Sequence, residues 1–156
     1  MKRYHLVIYK VLPKVTFYTV CTDGKENSET DEFFIRFKDR EKFNRDVQII
    51  KYWLEKIGTV NGAQERYFRQ EKRAKAIPIP PPGSKLRLYC HRVSDEIVVL
   101  GGGGEKTSKK VQDSPDALPH FDLMNDIAAF VNTRLKNQKL TIKDKELIGN
   151  LNFTKK

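Results

Sequence analysis

The chain holds only two cysteines, Cys21 and Cys90, and three histidines, His5, His91 and His120, with no Cys-x-x-Cys or His-Glu-x-x-His spacing. No disulfide framework, metal site or cofactor is therefore expected. Both cysteines lie in apolar, strand-like runs, where a thiol acts as a small hydrophobe, which fits a reducing, cytoplasmic setting. Nothing approaches the ~20 apolar residues a membrane span needs, so no membrane partner is expected. The N-terminus, MKRYHLVIYKVLPK, places basic residues ahead of an apolar run, but the run is short, alternates with polar residues and lacks a small-residue cleavage site. It reads as a strand rather than a signal peptide. Acidic side chains are in deficit as well, 20 against 30 Lys and Arg, for a net charge of +10.

That surplus is unevenly placed. Residues 65–110 contain eleven Lys/Arg against five acids and residues 132–156 seven against two, whereas 111–131 holds four aspartates and no basic residue. Two basic zones flanking an acidic one suit a polyanion such as nucleic acid, or a complementary acidic protein.

The 156 residues suffice for a single domain, 1–156, built on one core. Two alternating runs divided by Pro13-Lys14, RYHLVIYKVL and VTFYTVC, predict opening strands over 1–21, followed by a polar loop, TDGKENSETD. Helices are predicted over 31–72. The first runs through FFIRF, a run that also fits a strand, from a cap at Thr30 or Asp31, and Phe43, Val47, Ile50, Leu54 and Ile57 form the apolar stripe of the next, closed by Gly58. Asn61 with Gln64 resembles a capping box and predicts a short helix over NGAQERYF. Prolines 78, 80, 81 and 82 predict a stiff extended connection.

The stretch that organises the chain is the central hairpin 85–106, KLRLYCHRVSDEIVVLGGGGEK. A turn at Ser94-Asp95 would pair Val93 with Glu96, Cys90 with Val99, Leu88 with Gly101 and Arg87 with Gly102. Alternation puts Leu86, Leu88 and Cys90 on one face and Arg87, Tyr89 and His91 on the other. A C-terminal helix over 115–138 starts at Ser114-Pro115, Thr141 with Asp144 suggests a further cap before KELI, and NLNFTKK reads as a tail. The fold class is α+β, a small central antiparallel sheet with helices packed on one side, plus an N-terminal β-hairpin.

GGGGEK is not a phosphate loop of the Walker type, because Glu105 and Leu100 stand where that pattern needs glycine. Four glycines instead let a strand bend, or let a ligand or another backbone come close. Cys90 and His91 cannot form a dyad, since strand neighbours point to opposite faces. What remains is a set of groups able to assist RNA cleavage by the 2′-hydroxyl. Arg87 and Lys106 would stabilise phosphorane charge, His91 would move protons and Tyr89 would stack on a base or bond a phosphate. Arg69, Arg73, Lys75, Lys109 and Lys110 would bind RNA phosphates. Residue types alone leave open whether Arg87 and His91 are solvated strand residues and Tyr89 a packing residue.

The succession YFRQEKRAKAIP, KLRLYCHRVSDEIVVLGGGGEKTSK and a C-terminal helix resembles toxins of the RelE/ParE-like superfamily, particularly its RelE- and HigB-like branch, over roughly residues 30–135. The resemblance implies helices ahead of a small antiparallel sheet. It also implies a metal-independent endoribonuclease that cuts mRNA on the ribosome, inhibits translation and is neutralised by an acidic antitoxin protein from a neighbouring gene. Arg87 matches the strand arginine that contacts the scissile phosphate, Lys106 the basic residue after the last strand, and Arg69 more loosely a further basic position. The alternative is a non-enzymatic basic binding module for nucleic acid or an acidic protein on the same fold.

Overall fold

Alternation in the first 22 residues produces a long antiparallel pair, β1 (Lys2–Val11) and β2 (Thr16–Thr22), joined across Pro13-Lys14. The computed structural model describes residues 2–71, 74–77 and 84–155, and the side chains of all these except 70, 71 and 77. The proline-rich run and Arg73 lie outside the described residues. Helices α1 (Glu29–Phe37) and α2 (Asn44–Lys56) follow β2. The cap of α1 is Ser28, whose Oγ accepts the Asp31 N–H at 3.1 Å, and Glu29, Asp31 and Glu32 favour the helix dipole. Thr30, expected as a cap, is instead buried, donating its hydroxyl to the Gly101 carbonyl at 2.8 Å beside the Thr19 hydroxyl.

Past α2 the expected terminator moves. A π-type turn over Ile57–Asn61 carries the chain on to Gly62, which takes φ +74° and donates its N–H to the Ile57 carbonyl. Gly58 lacks a side chain for another reason, since a Cβ there would collide with Leu12 and Phe17. The Asn61/Gln64 box yields only a 3-10 turn, Glu65–Tyr67, with the Gln64 amide bonded to the Asn61 carbonyl. The rest of the stretch expected to be helical is strand, β3 (Arg69–Glu71), which pairs with β4 (Ala74–Ile77).

The central hairpin is β5 (Leu86–Ser94) and β6 (Ile97–Glu105). Its turn is Asp95-Glu96, closed by Ser94 opposite Ile97, and Ser94 Oγ accepts the Glu96 N–H at 3.1 Å. Irregularities at Leu88/Cys90 and Arg92/Ser94 shift the ladder further, so Arg87 lies opposite Gly104, Leu88 opposite Gly103 and Cys90 opposite Leu100. Next comes α3 (Leu118–Lys136), preceded by a turn containing Ser114-Pro115. Its end is followed by a hairpin, β7 (Leu140–Lys143) with β8 (Glu146–Gly149), in place of the expected capped helix. Asp144 and Lys145 make its turn at φ 52° and 65°. The expected tail is strand β9 (Asn152–Lys155), paired with β1 from Lys2↔Lys155 to His5↔Asn152.

The main sheet runs β3-β4-β5-β6-β2-β1-β9, antiparallel except where β2 and β6 run parallel. The broad α+β class therefore holds, but the helices do not share one side. Phe33, Phe37, Phe43, Val47 and Ile50, from α1, α2 and their connection, pack on Leu86 and Leu88. Phe121, Met124, Ile127 and Val131 of α3 pack on the other face against Tyr89, Val99, Tyr18 and Val20. No helix among the described residues is long and apolar enough to cross a membrane.

Candidate nucleic-acid interface

The alternation of β5 places Tyr89 on the face opposite Leu88, as its sequence predicts, but α3, expected on the other side with the first helices, closes that face. Tyr89 is fully buried and meets Phe121 edge-on, with ring centroids 5.7 Å apart. Arg87 and His91 are each only 6% exposed. Arg87 directs Nη1 to the carbonyls of Ser84 (2.9 Å) and Leu86 (3.2 Å), so part of its donor fork serves its own strand. Burial pushes the His91 imidazole down to about 4, opposed by the neighbouring Asn132 side chain and reinforced by the charge of Lys75. A neutral, enclosed imidazole has no path to a substrate while α3 is seated. The expectation of an open chemical face on β5 is thus corrected: a sheet face rich in polar groups has been roofed by the apolar stripe of the last helix.

The five positions expected to bind phosphate separate. Arg69 is exposed on the edge hairpin. Lys75, on β4 opposite Cys90, is largely covered and pairs with Glu65 at 3.0 Å, a contact that lowers the Glu65 carboxyl pKa. Arg73 lies outside the described residues. Lys109 and Lys110 belong with Lys106 at the far end of the β5–β6 hairpin, where a basic surface converges.

Three connections assemble that end. The Lys106 N–H donates to the Lys85 carbonyl at 2.7 Å and continues the ladder past β6. Lys42, just before α2, pairs with Glu105 at 2.9 Å. Arg36, in the last turn of α1, pairs with Asp116, whose other carboxylate oxygen accepts the Glu105 N–H at 2.7 Å. Burial pushes the Asp116 carboxyl up, but the Glu105 N–H and the Arg36 guanidinium outweigh it and hold the group below its usual value. Ser114 is fully buried, and its Oγ accepts the N–H groups of Thr107 (3.0 Å) and Ser108 (3.1 Å), so one hydroxyl shapes the loop carrying the lysines. Arg40 lies over the rings of Phe37 (5.5 Å) and Phe43 (4.9 Å). With Glu105 and Asp116 each matched to a cation, Arg40, Lys85, Lys109 and Lys110 remain exposed around them.

The glycine run explains how α1 and α3 both reach this end. A Cβ on Gly101 would strike Met124 of α3, one on Gly102 would come within 2.8 Å of His120, and one on Gly104 within 2.6 Å of Asp116. A Cβ on Gly103 would strike the Arg87 carbonyl of the neighbouring strand. Close approach of backbone and side chains, rather than of a ligand, accounts for all four. Arg36, Asp116 and His120 escaped the sequence reading. Asp116, in the turn before α3, and His120, in its first turn, stand four residues apart, a spacing that could have flagged them, but Arg36 joins them only through the fold. Burial pushes His120 below its ordinary value, partly offset by the charge of Glu29.

In comparisons with protein families, with curated proteins and with solved structures, nothing matches the chain.

Proposed function

We infer that the protein is a basic binding module whose partner is RNA, gripped by its phosphates at the end of the β5–β6 hairpin. The observation that carries this reading is the convergence there of Arg40, Lys85, Lys109 and Lys110, from three separate stretches of chain, around acids already matched to Arg36 and Lys42. Lys106 extends the same rim. Burial of Arg87, Tyr89 and His91 favours binding over catalysis.

The test is fluorescence anisotropy with a labelled single-stranded RNA over a series of salt concentrations. Affinity falls steeply with salt, and Lys109→Glu with Lys110→Glu lowers the slope of log K against log salt by about 1 to 2, as expected for lost phosphate contacts. A flat salt dependence, or an unchanged slope in the double variant, overturns the assignment.

A second reading, the mRNA-cleaving toxin neutralised by an acidic antitoxin, draws support from the order of elements. Two helices precede the central antiparallel strands, and β6 ends in a glycine run with Lys106 just beyond it. In that reading Arg87 and His91 reach RNA only once α3 leaves the sheet. Growth arrest on expression, relieved by the product of a neighbouring gene, selects it, and cells indifferent to abundant folded protein select the binding module.

A further inference from the structure

On the α1/α2 side of the sheet two apolar clusters meet without filling the space between them. Phe33, Phe37, Phe43, Val47 and Ile50 pack at one end, and Val15, Phe17, Ile57, Ala63 and Phe68 at the other, with Leu54 touching both. The seam opens into a cavity of about 420 Å³. Its floor is Phe17 and Leu100, each 1% exposed, and its walls include Phe34, Leu54, Leu12 and Tyr9. The volume falls in the ~300–1,000 Å³ range of small-molecule sites, with the same mix of apolar lining and few polar groups.

Those polar groups are grouped on the lining contributed by β1 and α2. Lys10 and Glu55 pair at 3.5 Å and leave no net charge. Lys51 is exposed, lies 5.6 Å from the centroid of the Phe34 ring and forms no ion pair with another described residue. Tyr9 adds a hydroxyl that stays protonated, because burial, and then the charge of Asp31, push its pKa up. The lining therefore carries one surplus positive charge and a neutral donor beside an apolar chamber.

We propose that this cavity binds a small monoanionic amphiphile, an aromatic or short aliphatic carboxylate, with its apolar body on Phe17, Leu100, Phe34 and Leu54 and its carboxylate at Lys51. Charge complementarity selects the anion, because a cation would meet Lys51 and a neutral body would leave the lysine unused. The site is independent of RNA binding, since it lies between β1 and the helices rather than at the basic end.

The experiment titrates the full chain with 1-naphthoate, followed by two-dimensional NMR and by the fluorescence of Trp53, which neighbours Leu54 in the sequence. The expected result is saturable binding of one equivalent, with shifts confined to Tyr9, Phe17, Phe34, Leu54 and Leu100 and their neighbours. Lys51→Glu weakens naphthoate on the order of tenfold while leaving the neutral 1-naphthylmethanol unchanged. Leu54→Trp, which fills the chamber from a partly exposed position, abolishes binding of both. Absence of saturable binding, shifts elsewhere, or equal affinity for acid and alcohol in the parent protein overturns the proposal. Unchanged naphthoate affinity in both variants does the same, and the amide spectrum of each variant confirms that it is folded.

Discussion

Tyr89 and Phe121 stand edge-on with ring centroids 5.7 Å apart, an aromatic contact that ties the middle of the central strand to the first turns of α3. The face of β5 opposite Leu88 is therefore an interior, and substitutions on either face carry a structural cost.

Arg87→Ala is expected to destabilise the fold by about 1–3 kcal/mol, because it empties a covered site and removes donors serving the Ser84 and Leu86 carbonyls. Leu88→Ala, which opens a cavity in a fully buried position, is expected to cost ~2–5 kcal/mol. Urea unfolding of the two variants measures both. An Arg87→Ala protein as stable as the parent would show that the α3 face is open in solution.

Acidification has a definite sign at His91. Its folded pKa is about 4 against an ordinary 6.5, so the unfolded chain binds more protons between these values. The contribution of the neutral ring is complete above about pH 6.5, is lost progressively as the pH falls, and is exhausted near pH 4. It amounts to about 3 kcal/mol by linkage. His91→Leu flattens the stability profile across this window, whereas an equally steep fall in that variant would trace the loss to other groups. His120, also shifted down, contributes in the same direction.

The glycine run gives a graded series. In Gly101→Ala the new methyl meets the flexible end of Met124, which can move, but in Gly103→Ala it meets the Arg87 main-chain carbonyl, which cannot. The first is expected to cost about 1–3 kcal/mol and the second about 3 kcal/mol or more. Thermal unfolding ranks them, and the reverse order would contradict the strand spacing.

Ser114→Ala removes the acceptor shared by Thr107 and Ser108 and is expected to cost about 1–3 kcal/mol. Hydrogen exchange at those two amides should accelerate, and RNA affinity should fall although no charge has changed. Unaltered exchange would mean the loop is held by other contacts.

Much of this architecture was legible. Alternation found β1, β2, β5 and β6, and the stripe from Phe43 to Ile57 found α2, because each signal resides in a few neighbouring residues. The sequence also showed which β5 residues share a face. It could not show what would cover that face, since the roof, Phe121 to Val131, lies some thirty residues further along. The β7–β8 turn was missed because Asp144 and Lys145 adopt positive φ without glycine, and Thr141 with Asp144 imitates a helix cap. Strand β9 was missed because its pairing partner is β1, at the other end of the sequence. For the interface, Lys106, Lys109 and Lys110 could be read as a basic cluster. Arg36 and Asp116 became neighbours only through packing of α1 and the α3 entrance on the glycine strand.

The parallel pairing of β2 with β6, Thr16↔Ile97 to Thr19↔Leu100, joins segments about 80 residues apart, whereas the β1–β2 and β5–β6 hairpins close over a few. The chain can assemble two local antiparallel pieces early, but the seam uniting them requires a much larger loop entropy to be met before its contacts exist. Refolding is accordingly expected on the slower, millisecond-to-second scale of topologies rich in distant pairings. Destabilising the seam, for instance at Val98 or Val99, should slow that step, while equal losses at the tip of either hairpin should mainly quicken unfolding.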